Sequence, residues 1–284
     1  MGREENAAIF QDTEILCKSI DELKEAIRKS KEKQRLILET DEVLSTSDED
    51  ERRYETRAKV VVSKKRSYQA ASEYRGQEIC VHNFASATTP GGGVVKGSSA
   101  QEECLCRCST LYFNLNTPEM WDGFYTPHRE MQDPVHNDDC IYTPGVVVMK
   151  TDTASPRRMP QEDWFYVNVL TCAAPNLRLM PSNRMNVGDG YKKVKMTDKD
   201  LLALHEKRLI RILDIAFEER NEVVILGAFG CGAFENNPRV VALAAKNVIE
   251  KYLYSFKTIE FAIYCSPKDE QNFVAFKQAL KEYL

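Results

Sequence analysis

The stretch "EVVILGAFGCGAFENNPRVVALAAKNVIEKYL" (Glu222–Leu253) decides the fold. It opens as a short apolar run suited to a buried strand and passes three glycines, Gly227, Gly230 and Gly232. Past Pro238 it continues as an apolar-rich helix, with the proline where a helix start tolerates it. Strand, glycine-rich turn and helix in succession make the repeating step of layered α/β proteins. Such folds bind ligands in the loops that follow the carboxyl ends of strands. Successive N–H groups in a turn of this kind form an anion-binding concavity, and a diphosphate is its natural guest. The order G-x-x-G-x-G is not the dinucleotide fingerprint, and no Gly-Lys-Ser/Thr follows as in a P-loop. Phe229 and Phe234 flank the turn, where an aromatic can pack against a ribose or base.

Outward from this stretch the same texture recurs. Short apolar runs read as strands near Val60 and Cys80, after Gly145, from Trp164 and from Glu260. Helical segments lie between several of them. The longest, "DKDLLALHEKRLIRILDIAFEE", carries Leu201, Leu204, Leu209, Ile212, Leu213 and Ala216 as an apolar stripe. The class is therefore α/β, a layered sheet with helices on both faces. Residues 1–57 read as a separate, highly charged helical extension. There Ile20, Leu23, Ile27, Leu36 and Ile37 recur at near-helical intervals, and Ser19 and Glu22 fit a capping box. Ser45–Glu51 reads as a solvated acidic linker, and residues 58–284 form the main domain.

Composition narrows the function classes. The chain has 284 residues and a formal net charge of −4, so it offers no general electrostatic case for nucleic-acid binding. No segment approaches a membrane span and no signal-peptide core opens the chain, which makes a membrane partner unexpected. Nine cysteines, an odd number in a chain too large to need staples, point to a reducing cytoplasm. Cys104, Cys106 and Cys108 lack zinc-finger spacing and read as packing cysteines, so no metal and no cofactor is expected. The histidines His82, His128, His136 and His205 are scattered and read as packing or surface residues.

A second glycine-rich loop follows the strand near Cys80. Asn83 leads into Pro90-Gly91-Gly92-Gly93, and Gln101-Glu102-Glu103 follows. Three glycines remove every Cβ and permit positive φ, so a ligand can approach the main chain. Ser99-x-x-Glu102 fits a capping box, which would set both glutamates in the first turn of a helix facing that loop. A helix N-terminus lowers a carboxyl pKa, whereas a general acid needs it raised. A neighbouring carboxylate and an anionic ligand would raise it again. Two phosphate-friendly loops and paired carboxylates point to a glycosidic bond in a nucleoside-diphosphate sugar.

On these motifs the chain resembles the microbial-type poly(ADP-ribose) glycohydrolases, a catalytic branch of the macrodomain fold. The resemblance rests on Gly91-Gly92-Gly93, the seven residues Val94–Ala100, and Gln101-Glu102-Glu103. The flanks "NFASATTPGGG" and "CLCRCSTLY", and the later "IYTPGVVVMK", "LTCAAPN" and "LGAFGCGAFENNP", agree with it. It covers roughly Arg57 to the C-terminus. It implies a macrodomain-like three-layer α/β/α fold with a mixed central sheet. It also implies hydrolysis of the ribose–ribose bonds of poly(ADP-ribose), free or attached to modified proteins. By motif position Glu103 is the catalytic acid and base, and Glu102 orients the terminal ribose. Asn83, Gly91, Gly92, Gly93 and Val94 lie against ribose and phosphate, with Gln101 supporting the helix start. Gly230, Cys231, Gly232, Ala233 and Phe234 wrap the diphosphate. Two alternatives stay open, an ADP-ribose reader without hydrolysis and a mono-ADP-ribosyl hydrolase.

Overall fold

The computed structural model describes residues 2–44, 52–266 and 268–284. Among them seven strands run in the hydrogen-bonded order β1-β4-β5-β3-β6-β7-β2. They are β1 (Arg35–Ile37), β2 (Lys59–Ser63), β3 (Ile79–Ala85), β4 (Cys140–Val148), β5 (Phe165–Ala173), β6 (Val223–Leu226) and β7 (Thr258–Ala262). The earlier helices are α1 (Arg3–Ser19), α2 (Asp21–Lys33), α3 (Ser67–Ala71), α4 (Gln101–Cys108) and α5 (Leu111–Leu115). The later ones are α6 (Pro118–Met120), α7 (Thr126–Met131), α8 (Asp198–Glu218), α9 (Pro238–Ile249) and α10 (Gln271–Ala279). The sheet is mixed and the class is α/β, as the apolar runs predict. No helix among the described residues is long and apolar enough to cross a membrane. The chain forms two compact units, the N-terminal segment to Glu39 with Asn83–Val194, and Thr40–His82 with Lys195–Leu284.

The second unit holds the parallel strands. β3 pairs with β6, β6 with β7 and β7 with β2, in the registers Ile79↔Val223, Val223↔Thr258 and Lys59↔Thr258. Parallel strands are covered on both faces, which is why β6 reads as an unbroken apolar run, Val-Val-Ile-Leu, buried throughout. The pleat of β7 displays the two faces. Phe261 stacks on Phe276 of α10 with ring centroids 5.5 Å apart, while its neighbour Glu260 accepts from the Tyr74 hydroxyl at 2.6 Å. Helices α8, α9 and α10 thus cover one side, and the α3 segment covers the other.

The first unit is antiparallel. β1 pairs with β4 and β4 with β5, with a register shift between Thr143 and Val146 where Gly145 takes φ +67. Here the structure departs from the expected separate extension of residues 1–57. Leu16 and Cys17 of α1 and Leu23 and Ile27 of α2 pack with Val147 and Met149 into one core cluster. Leu36 and Ile37, counted with the helix in the sequence, lie in β1 instead, because α2 ends at Lys33 and, after Gln34, Arg35–Ile37 find the free edge of β4. Ser19 does not cap α2. It ends α1, its hydroxyl donating back to the Ile15 carbonyl at 2.7 Å, and Ile20 takes the cap position. The linker expected at Ser45–Glu51 lies outside the described residues.

Leu23 is fully buried at the centre of that cluster. Leu23→Ala is expected to destabilise the chain by roughly 2–5 kcal/mol in urea unfolding, the usual cost of a cavity left by a core leucine. An unchanged midpoint would show that α2 is an appendage rather than part of the core.

Candidate active site

Strand β3 ends where the acid-bearing helix begins, and the two are laced together. The Phe84 N–H donates to Gln101 Oε1 at 2.9 Å, which fixes the first residue of α4 against the strand. The Ser86 N–H donates to Glu102 Oε2 at 2.8 Å, and the Gly93 N–H donates to Glu103 Oε1 at 2.9 Å. Asn83 donates from one amide nitrogen to Glu102 Oε1 at 3.3 Å and to Thr171 Oγ1 at 3.1 Å. Glu102 and Glu103 are 3% and 7% exposed, deep burial for two adjacent acids. Glu102 has both carboxylate oxygens engaged. Glu103 has one, because its Oε2 is buried and has no hydrogen-bond partner in the protein.

The glycine triplet does something more specific than admit a ligand. Gly91 and Gly92 take φ +64 and +56, the left-handed region that side chains resist. A Cβ on Gly92 would stand 2.6 Å from Glu103 Oε1, and one on Gly93 would stand 2.4 Å from Ser98 Oγ. The space gained by dropping these side chains is filled by the chain's own glutamate and serine. Val94 is fully buried beside Gly91, so its side chain packs the turn from within.

The expected Ser99 capping box does not form. Ala100 is the N-cap of α4 and makes no side-chain cap bond, since Glu102 is already drawn to Ser86 and Asn83. The opposing pulls on the carboxyls resolve toward the neutral form. Burial, with the neighbouring Glu103 second, holds Glu102 well above the usual carboxylate range against the Ser86 and Asn83 donors. Burial also raises Glu103, with the Gly93 N–H opposing it. Desolvation outweighs the helix end in both.

The second loop lies in the other unit. Gly230 takes φ +75, and Asn236 braces the turn from inside, its amide donating to the Gly230 and Phe234 carbonyls at 3.1 Å each. With both N–H bonds spent, Asn236 Oδ1 accepts from His205 Nε2 at 2.8 Å, which sets that histidine's tautomer. Burial lowers His205 to about 4, so the ring is neutral. Gly232 and Ala233 are exposed, and a Cβ on Gly232 would meet nothing within 4 Å. Phe234 is half-buried, and Phe229 is buried against His82 with ring centroids 4.5 Å apart. Burial pushes the Cys231 thiol up, far from a reactive thiolate.

Comparison with known families places more than half of the chain. The family model of the microbial-type PARG (poly(ADP-ribose) glycohydrolase) catalytic domain matches residues 4–151. The chain belongs to that family. Its match begins within α1, so the N-terminal helices fall inside the PARG catalytic domain rather than ahead of it. The PARG of Thermomonospora curvata superposes with a TM-score of 0.82 at 24% identity, covering 97% of this chain and 99% of that one. The PARG of Deinococcus radiodurans in complex with ADP-ribose superposes at 0.73 with 26% identity, covering 91% of this chain and 98% of that one. No curated protein matches the chain.

Around these acids and loops the sequence left several residues unmarked. Arg129 of α7 donates to the Thr88 carbonyl at 2.6 Å and to Thr89 Oγ1 at 3.3 Å, and its guanidinium lies 4.6 Å from the Trp121 ring centroid. It thereby pins the run into the glycine triplet. Asn236 was visible only as one of two asparagines before Pro238, and His205 only as a polar break in the α8 stripe. Cys104, Cys106 and Cys108 are all buried.

A carboxyl raised by burial carries a linkage consequence. The folded chain holds the Glu103 proton more tightly than the unfolded chain does. That contribution is complete below the ordinary value of 4.5 and is lost as pH rises through the raised folded value. Glu103→Gln removes the dependence. Urea midpoints of the native chain should therefore fall relative to Glu103→Gln as pH rises from the ordinary value of 4.5 through the raised folded value. A constant gap over that range would mean that Glu103 is not raised.

Proposed function

We propose that this chain hydrolyses the ribose–ribose O-glycosidic bonds of poly(ADP-ribose), releasing ADP-ribose, with Glu103 as its single general acid and base. The observation that carries this reading is the asymmetry of the Glu103 carboxyl. Oε1 is fixed by the Gly93 N–H, and Oε2 is buried without a protein partner. Burial raises the Glu103 carboxyl and so favours its protonated form, and Oε2 is the oxygen placed to hold the proton.

The bond from the anomeric carbon to the departing ribose oxygen breaks with its electron pair leaving on that oxygen. The oxygen takes the Glu103 proton. An oxocarbenium-like ribose results, as in other glycosyl transfers, and its charge is offset by the substrate's own diphosphate. Water then adds to the anomeric carbon and gives a proton to the Glu103 carboxylate, which restores the acid. Glu102 cannot share this work on equal terms, since both its oxygens already accept bonds from Asn83 and Ser86. It serves instead to fix the terminal ribose. Asn83 Oδ1, buried and without a hydrogen-bond donor in the protein, suits a ribose hydroxyl.

The substrate on this reading is ADP-ribose polymer, free or attached to modified proteins, rather than nucleic acid. A reducing cytoplasm accords with nine free cysteines. A reader that only binds ADP-ribose gains nothing from burying a raised carboxyl, which favours hydrolysis.

Glu103→Gln should lower poly(ADP-ribose) turnover by about 10²–10⁴-fold, the usual cost of losing a general acid. ADP-ribose affinity by calorimetry should be nearly unchanged. Native-level turnover in that variant would remove Glu103 from its role.

A further inference from the structure

Beside the acid loop lies a segment whose charge runs against the rest of the chain. Between Arg178 and Lys193 stand four basic residues and the single acid Asp189, a net +3 in a protein of net −4. Asp189 is turned inward, 1% exposed, accepting from Asn176 at 2.9 Å and Asn186 at 3.0 Å, with His136 Nε2 at 3.6 Å. Arg178 is committed to the Asn176 and Pro181 oxygens. Arg184, Lys192 and Lys193 are exposed, and none of them pairs with an acid among the described residues. Tyr191 between them is 74% exposed.

The segment is built, and built against the site. The Ser182 N–H donates to the Gly190 carbonyl at 2.9 Å and closes the loop on itself. Gly188 and Gly190, at φ +94 and +73, press onto α7, where a Cβ would stand 2.8 Å from Arg129 Cγ and 2.5 Å from the Gln132 carbonyl. Arg129 is the residue that pins Thr88 and Thr89. On the glycine triplet, Met185 Cε lies 2.6 Å from where a Gly93 Cβ would be, and Lys96 Nζ donates to the Arg184 carbonyl at 2.8 Å. Gly93 is the residue whose N–H holds Glu103. The basic loop therefore sits one residue away from the acid's own anchor.

We propose that Arg184, Lys192 and Lys193, with Tyr191, form a second binding surface for polymer. The cations take phosphates of the ADP-ribose units beyond the scissile bond, and Tyr191 offers its ring to an adenine. The proposal rests on the polymer-cleaving function above. The terminal unit occupies the catalytic loops, and the remaining chain must leave from the linkage that Glu103 protonates. That chain is a flexible polyanion carrying a base in every unit. Exposed cations interleaved with an aromatic are how single-stranded polyanions are held. Single-stranded RNA shares this chemistry, but the loop's place beside the acid favours the enzyme's own substrate.

The test is the triple variant Arg184→Glu, Lys192→Glu, Lys193→Glu, made in the native chain and in the Glu103→Gln background. Long-polymer KM should rise about tenfold, and the slope of log KM against log salt should fall by about 2, near 0.7 per lost phosphate contact. Affinity for ADP-ribose, which fills only the terminal site, should stay unchanged. In the Glu103→Gln background, anisotropy with labelled polymer should give the same loss of affinity, so the surface is read even if the native chain cleaves nothing. Unchanged polymer affinity and salt slope would overturn the surface, as would an equal loss for ADP-ribose. Binding of single-stranded RNA as tightly as polymer by the native chain would overturn the assignment to polymer.

Discussion

Two adjacent carboxyls buried at the start of one short helix constrain everything around them. Burying a carboxylate costs several kcal/mol unless donors meet it, and even then the neutral form gains. The chain supplies donors from its own backbone, at Ser86 and Gly93, and one side-chain donor, at Asn83. That requirement dictates the end of β3, the course of the loop after it, and two positive-φ glycines in a row. Few side chains could stand at position 92, because the Glu103 carboxyl occupies the place where a Cβ would go.

The helix carrying the acids is held from behind as well. Thr13 of α1 donates to the Arg107 carbonyl at 2.5 Å, and Asn6 donates to the Gly97 carbonyl at 3.1 Å. Lys150, 2% exposed, reaches the Ile9 carbonyl and the Thr13 hydroxyl at 2.7 Å each and pairs with Asp12 at 2.8 Å. Such a buried ammonium is tolerated because three oxygens surround it. The helix that presents the acids is thus clamped between β3 on one hand and α1 on the other.

Much of this was legible in the residues. The apolar runs gave six of the strands, most plainly β6, a parallel strand buried on both faces. β1 was hidden: Leu36 and Ile37 continue the helical spacing of Leu23 and Ile27, and three residues on a sheet edge carry no period of their own. The capping box at Ser99 failed because a local motif cannot register that Glu102 is claimed by Ser86 and Asn83, sixteen and nineteen residues earlier. The His205–Asn236 bond spans 31 residues between a helix face and a turn, and neither residue advertises the other. The set-apart reading of the N-terminal helices shared that cause, since the partners of Leu23 and Ile27, Val147 and Met149, lie more than a hundred residues later.

The clamp formed by α1 has a consequence for biosynthesis. Its partners are distant in the chain: Asn6 meets Gly97 across 91 residues, and Thr13 meets Arg107 across 94. At ribosomal rates of about 5–20 residues per second, α1 leaves the exit tunnel roughly 5–20 s before the groove it fills. Through that interval its apolar side, with Phe10 and Leu16, lacks the late partners Tyr112, Val147 and Met149 that cover it in the folded chain, which leaves a surface suited to a holding chaperone.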